Sequence, residues 1–396
     1  MTTFGIEEEL MLVHPGSLSP ANAAVPVIEE LRHHRGIGPY VSHEYLASQV
    51  EFSSPVFASA GQAETMTLAF RKAATDAAQR QGVIAASVGV PFQPANPPLV
   101  TDVPRYRRIA ADHGAITLGH QVNALHVHVG VRSRSDGVVA LNGLRVWLPV
   151  LLALSGNSPF WQGRDTGFAS WRSVQMRRWT TAGCPPMMFD EQDYRRRTTA
   201  LVGVGGTTDV RTIAWNARLS EDNPTVEIRV FDAQLDVDDT VFLAVISRAL
   251  TDTVIRSAGN DRLPNDVDPE LLDASLWLAC RDGLTGDLVH PLRAELAPAK
   301  DVVSALIDLS RDALVESGDE PRVRTKVDRL FHEGAGAERQ RRAMQTGGRR
   351  ALRTLLQGVP SGATHNQGTF PGSNARGATR TDTALTDTAL IDTAPL

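Results

Sequence analysis

FGIEEELMLV (residues 4–13) sets three consecutive glutamates inside a run that otherwise reads as a buried β-strand. Successive side chains on a strand point to opposite faces. Phe4, Ile6, Glu8, Leu10 and Leu12 therefore share one side, and Gly5, Glu7, Glu9, Met11 and Val13 share the other. The first side suits a core. The second offers a pair of carboxylates, Glu7 and Glu9. Glu8 falls on the apolar side, where a carboxylate needs a cationic partner; the expectation is an arginine at the sheet edge.

Three later stretches repeat this design. QVEFS (49–53) places Gln49 and Glu51 opposite Val50 and Phe52, NALHVHVGV (123–131) places His126 and His128 opposite Leu125, Val127 and Val129, and TVEIRVF (225–231) places Glu227 and Arg229 opposite Val226, Ile228 and Val230. Taken singly, a glutamate pair on a strand is usually solvated, an HxH is more often a satisfied pair than a ligand set, and an ExR is usually a salt bridge. Four such faces in one chain shift the balance toward convergence. Glu7, Glu9, Glu51 and Glu227, with Glu44 seven positions before Glu51, would then crowd one cavity. An uncompensated buried carboxylate costs several kcal/mol, so such a cluster binds cations or raises its pKa values. Carboxylates with one or two imidazoles and no cysteine suit Mg²⁺ or Mn²⁺ better than Zn²⁺. Hard dications in an open cavity usually hold phosphates.

Composition narrows the alternatives. The chain has 396 residues, 42% of them hydrophobic, which is enough for a large core. A net charge of −5 argues against nucleic acid as a partner. Lysine occurs only at Lys72, Lys300 and Lys326, never in GK[ST], which excludes a Walker-type phosphate loop. VGVGGTTD (202–209) accordingly reads as a flexible loop. Cys184 and Cys280 make neither a disulfide framework nor a metal spacing, and the strand begins without a signal-peptide pattern, so a cytoplasmic location is expected. VVALNGLRVWLPVLLAL (138–154) contains Arg145 and Pro149 and reads as a buried helix, not a membrane span. No serine stands in a GxSxG context, which argues against a serine hydrolase.

Strand patterns fall at 4–13, 48–53, 83–90, 123–131 and 225–231. Helical periodicity covers 60–81, ended by Gly82, a stretch from a cap at Asp238 or Asp239 to about Ser257, then 299–316, 322–333 and 337–357, the last weakened by Gly347 and Gly348. Strands separated by long irregular stretches lack the alternation of a doubly wound sheet, so an α+β class with a largely antiparallel sheet is expected. Residues 1–358 read as one catalytic domain. Residues 359–396, with TDTAL twice in succession, read as a disordered low-complexity tail.

FGIEEEL, QVEFSSP, LHVHVGV, LSGNSPFWQGRDTGFASWR (154–172) and TVEIRVFD (225–232) together resemble the carboxylate-amine ligases of the glutamate–cysteine ligase type 2 family, in the same order along the chain. The resemblance implies a glutamine synthetase-like fold, an antiparallel sheet curved into a funnel with helices outside. It also implies ATP-dependent joining of glutamate to cysteine or another amine through a γ-glutamyl phosphate, with ATP and Mg²⁺ as cofactors. Carried over by position, Glu7 and Glu9 match metal ligands, Glu44 and Glu51 a second acidic pair, His126 the strand histidine at the metal, and Glu227 with Arg229 the ExR. Arg164 and Arg172 match positions for substrate carboxylate or phosphate, and Arg229 is the candidate for stabilising the phosphoryl group in transfer. His128 is either a further ligand or a donor to substrate. SVGVPF (87–92) and Asn223-Pro224 depart from the family's usual turn and strand lead-in. A metal-dependent hydrolase built on the HVH pair and a noncatalytic glutamate- or nucleotide-binding protein are the rival readings. Whether the chain forms a homo-oligomer is open.

Overall fold

The glutamate-bearing run forms β1 (Phe4–Val13), the hub of a seven-stranded sheet. The computed structural model describes residues 2–258 and 267–358, so the expectation for residues 359–396 lies outside the described residues. Around β1 lie β2 (Val41–His43), β3 (Gln49–Ser53), β4 (Ile84–Ala86) and β5 (Ala124–Gly130). β6 (Phe160–Trp161) and β7 (Arg164–Asp165) form a separate hairpin, and β8 (Ala217–Leu219) and β9 (Thr225–Asp232) complete the main sheet. The order is β2-β3-β1-β5-β9-β8, every pairing antiparallel. β4 joins the far end of β1, pairing Met11 with Ala86.

One face of the sheet is sealed by helices. Leu125, Val127, Val129, Val226, Ile228 and Val230 pack with Val241, Phe242, Val245 and Ile246 of helix Val237–Arg256 in the main core. Leu10, Leu12, Val50 and Phe52 face helix Ala60–Arg80, where Phe52 and Phe70 stack with ring centroids 4.4 Å apart. Burying these side chains contributes about 1.5–3 kcal/mol each, and the same packing leaves the opposite, polar face of the strands to line a cavity.

Several expectations hold at element level and shift in detail. The 138–154 run is two helices, Arg134–Leu144 and Leu148–Ser155, bent by 70°. Leu148–Ser155 is buried throughout, and no single helix among the described residues is long and apolar enough to cross a membrane. The 299–316 run divides at Ser310 into Ala299–Leu309 and Arg311–Ser317. The helix expected to be weakened at Gly347 and Gly348, Gly336–Leu356, is kinked there: Gly348 adopts φ 59°, a left-handed conformation that glycine reaches without a Cβ clash. The strand expected over 83–90 stops at Ala86, because the carbonyl of Ser87 and the amide of Gly89 bond to Asn157 instead of to a strand. Asp238 and Asp239 sit in the first helical turn rather than at the cap, where they pair with Lys326.

Glu8 has its arginine, but not at an edge. Its carboxylate is fully buried beneath the middle of the sheet. Arg71 Nε donates to Oε2 (2.9 Å) and Thr240 Oγ1 to Oε1 (2.9 Å). Arg71 also donates to the carbonyl oxygens of Leu235 (2.7 Å) and Gln234 (2.8 Å), tying β1 to the segment after β9.

Candidate functional site

Cross-strand register assembles the polar face. Glu7 lies opposite His126, His128 opposite Glu227, Glu9 opposite Glu51, and Glu227 opposite Arg218. These side chains line a cavity of about 450 Å³. Of the residues singled out in the sequence, Glu7, Glu9, Glu44, Glu51, His126, His128, Arg172, Glu227 and Arg229 all reach it. Arg164 does not: it is exposed on the β6–β7 hairpin, 3.4 Å from Gln162.

The tightest cluster is Glu7, His126 and Glu227, whose donor atoms all lie within 4.8 Å of one another. Glu7 Oε2 is 3.1 Å from His126 Nδ1 and its Oε1 is 3.1 Å from His128 Nε2. Glu227 Oε1 lies 3.8 Å from His126 Nδ1. Arg218 Nε donates to Glu227 Oε2 (2.7 Å), and Arg229 pairs with Oε1. Burial opposes ionisation of Glu227, but Arg229 and Arg218 win and hold its carboxyl at about 2. Burial likewise opposes Glu7, and its two histidine partners hold it well below the usual range. His126 is pushed down to about 4 by burial and by Arg229, so its ring is neutral and keeps a lone pair.

Beside this cluster stands an acidic wall. Glu9 is pushed up to about 8 by burial, against the stabilising bond from Ala124 N (2.9 Å) to its Oε2. Glu44 rises to about 8 through burial and the charge of Glu9. Glu51 rises well above the usual range through burial and Glu44, although Ser42 Oγ donates to it at 2.8 Å. Carboxyls held apart from water and close to one another keep their protons unless a cation displaces them. A donor set of carboxylates with one neutral imidazole, adjoining carboxyls whose burial Arg172 and Arg229 offset only in part, fits a hard divalent ion.

Arg172 reaches the cavity from helix Trp171–Met176, which Ser170 caps by accepting from Ser173 N. Asp232, at the end of β9, anchors this segment: Ser158 Oγ and Ser170 Oγ donate to its carboxylate at 2.6 and 2.8 Å. Arg172 spends its outer nitrogens on the carbonyls of Val230 and Arg229, and its Nε has no hydrogen-bond partner among the described residues. Arg218, Arg105, Tyr106 and His120 also line the cavity and were not singled out in the sequence. The alternation Ala217-Arg218-Leu219 pointed to Arg218, but three residues carry too little periodicity to register. The hydrolase reading gains no ligand downstream, since His290 and His332 do not line the cavity and His365 lies outside the described residues.

A second cavity, of about 570 Å³, meets the first at Glu7, His128 and Asn223. Its lining mixes apolar Val56, Val131 and Pro224 with hydroxyl-bearing Thr2, Thr3, Ser53, Ser54 and Thr225 and with Arg132 as a cation.

Comparisons with known proteins agree with this architecture. In fold the chain is similar to a glutamate–cysteine ligase from Francisella tularensis solved in complex with AMP (TM-score 0.64, 12% identity, covering 90% of this chain and 87% of that one). It is also similar to Pup ligase PafA solved in complex with Pup (TM-score 0.53, 13% identity, 90% and 72% covered). The fold is thus that of the glutamate–cysteine ligases. In sequence it is 37% identical over 360 residues to "Putative glutamate–cysteine ligase 2-2" of Frankia alni, covering 88% of this chain and 94% of that protein. It is 35% identical over 376 residues to "Putative glutamate–cysteine ligase 2-1" of Paenarthrobacter aurescens, covering 92% and 96%. The family model for glutamate–cysteine ligase family 2 matches residues 3–358. The chain belongs to that family, and its activity is of the ATP-dependent carboxylate-amine ligase type.

Proposed function

We propose that this enzyme phosphorylates the γ-carboxylate of glutamate with ATP and passes the acyl group to an amine. The carrying observation is the convergence of Glu7, His126 and Glu227 within 4.8 Å beside carboxyls Glu9 and Glu44, both pushed to about 8. Glu7, His126 and Glu227 would hold one Mg²⁺ or Mn²⁺ and Glu9, Glu44 and Glu51 a second; bound there, the ions would neutralise phosphate charge and orient the transferring oxygens.

The chain's own groups supply positioning and charge. His126, neutral through burial and Arg229, keeps its lone pair available at physiological pH. Arg229, two residues from Glu227 and always protonated, is placed to donate to the phosphoryl oxygens as charge develops on them. Arg172, which lines the first cavity, would hold a substrate carboxylate or phosphate. The nucleoside is assigned to the second, more apolar cavity, and glutamate and the amine to the first. The phosphoryl group then crosses where the two meet, at Glu7 and His128. The γ-carboxylate oxygen attacks the terminal phosphorus and ADP leaves; the amine nitrogen attacks the acyl carbon and inorganic phosphate leaves. Residues 1–358 are proposed as the catalytic unit and 359–396 as an appendage it does not need.

The test is ADP release with product mass, using glutamate and a panel of amines and thiols. Glutamate-dependent ADP formation with a γ-glutamyl product supports the reading. Hydrolysis without ADP, or nucleotide binding without turnover, overturns it.

A further inference from the structure

Beneath the sheet, on the face turned away from the cavity, lies a buried charged pair that the mechanism above does not use. Glu8 stands between Glu7 and Glu9 on β1, and its side chain is fully buried on the apolar face it shares with Ile6 and Leu10. Arg71 meets it with a two-pronged fork: Nε donates to Oε2 at 2.9 Å and Nη2 donates to Oε1. The same guanidinium donates to the carbonyl oxygens of Leu235 (Nη1, 2.7 Å) and Gln234 (Nη2, 2.8 Å). Its Nη2 also lies 3.1 Å from Thr240 Oγ1 and 3.3 Å from Ser87 Oγ. Gln234 is fixed in turn, its side-chain amide donating to the carbonyls of Asp232 (2.7 Å) and Ser155 (2.8 Å). Arg71 therefore joins β1 to the end of β9, two strands that are not neighbours, since β5 lies between them.

These are the strands that carry the ion ligands proposed above: Glu7 and Glu9 on β1, His126 on β5 and Glu227 on β9. Glu7 is in register with His126 and Glu9 with Glu51, so each of the two proposed ion sites takes a ligand from a residue next to Glu8. Ladder hydrogen bonds fix the register of a sheet but leave its twist variable. Ion affinity depends on ligand oxygens held at the right separations by the groups behind them. An apolar pair of similar volume at positions 8 and 71 would fill the same space, and such replacements of buried ion pairs are often neutral or stabilising. What an apolar contact does not supply is direction: two N–H groups on one carboxylate hold a fixed geometry, whereas packed methylenes slide. What the charged pair adds is position.

Resting on the ligase reading for the ligands themselves, we infer that Arg71, acting through Glu8, is a positioning residue of the ion centre. It clamps β1 to the end of β9 from below and so sets the separation of Glu7 and Glu9 from Glu227 on the opposite face of the sheet. Arg71 lines neither cavity and acts only through the backbone of β1.

The experiment measures Mn²⁺ binding to the full chain by electron paramagnetic resonance, without ATP or glutamate, alongside the KM for Mg²⁺ in the ADP assay. Arg71→Lys keeps a cation opposite Glu8 but has one donor nitrogen and no fork. Its Kd for Mn²⁺ should rise about tenfold or more, and its KM for Mg²⁺ with it, while the KM for glutamate at saturating Mg²⁺ stays that of the wild type. Glu8→Gln, which leaves Arg71 its bonds to Gln234 and Leu235, should act in the same direction and serves if Arg71→Lys does not fold. Val323→Ala, buried in the main core on helix Glu320–Glu333, lowers stability without touching the pair and should leave the Kd for Mn²⁺ unchanged. A wild-type Kd in the folded Arg71 or Glu8 variant overturns the inference and leaves the two residues a structural pair. An equal rise in Val323→Ala also overturns it, by making ion affinity a matter of overall stability. No Mn²⁺ binding by the wild-type chain overturns the ion sites of the ligase reading and this inference with them.

Discussion

Raising the pH of the ion-free chain from about 7 to about 8.5 should weaken it by ~2.5 kcal/mol through Glu9 and Glu44 of the acidic wall, with Glu51, also raised, acting in the same direction. Glu9 and Glu44 have folded values of about 8 against an ordinary 4.5, so between those values each binds a proton when folded that it has lost when unfolded. Stability from such a raised group is fully present below 4.5 and is lost as the pH climbs to 8. Over the chosen window each carboxyl forfeits about 1.3 kcal/mol. The other groups contribute little or act in the same direction. Glu7 and Glu227, held low, are ionised in both states. His126 and His120, also held low, are neutral when folded and nearly so when unfolded. Against burial, His128 is raised by its bond to Glu7, so its stabilising proton is lost in the same direction, as the pH rises. Cys184 and Cys280 are raised to about 12, and their ordinary value of 9.0 lies just above the window. With an unfolding entropy of ~2.1 cal/mol/K per residue, the loss lowers the thermal midpoint by about 3 °C. Calorimetry of chelator-treated protein at the two pH values reads it directly. Glu9→Gln should remove about half of the part of the slope that Glu9 and Glu44 carry, and added Mg²⁺ should flatten it, because cations then replace the protons. A midpoint at pH 8.5 equal to or above that at pH 7, unchanged by Mg²⁺, would refute the picture of proton-bound carboxyls awaiting a cation.

Glu227→Gln should abolish Mg²⁺-dependent turnover while circular dichroism stays native; retained activity removes Glu227 from the metal site. Arg229→Lys should lower kcat by roughly 10²-fold in steady-state ADP assays, because a point charge does not reproduce the guanidinium's fixed donors, and a wild-type kcat would refute its placement. Arg71→Ala strands the buried Glu8 carboxylate and should cost about 3–5 kcal/mol in denaturant titration, with Arg71→Ala/Glu8→Gln recovering part of the loss; no recovery would refute the pairing. Truncation after Gly358 should leave kcat/KM within about twofold in the ADP assay, and a larger drop would contradict residues 1–358 as the catalytic unit.

The most legible features were those written with a local period. Alternation in FGIEEELMLV, LHVHVGV and TVEIRVF is a property of neighbouring residues, so it told which side chains of each strand share a face before any partner strand was known. Glu7, Glu9, Glu51, His126, Glu227 and Arg229 were readable for that reason. Glu44, singled out for its place seven positions before Glu51, sits outside any strand and reaches the cavity from the loop after β2. The resemblance added Arg172 and Arg164, the latter on an exposed hairpin position that nothing in the local pattern announced.

What remained belongs to contacts between distant segments. Alternation required a counter-charge for Glu8, but only the packing of helix Ala60–Arg80 under β1 selected Arg71, 63 residues away, and set it beneath a central strand. β2 and β8 are three residues each, too short to declare a period, so Arg218 became visible only through its register with Glu227. Tyr45, Tyr106, His120 and Trp179 line one pocket because three separate segments meet there, which no stretch of sequence records. Side-chain direction is set residue by residue along a strand, whereas strand order, register and the walls of a cavity are set by burial summed over the whole chain. The sequence by itself determined which groups could face a common ion; the tertiary structure alone decided which of them meet, and what else stands beside them.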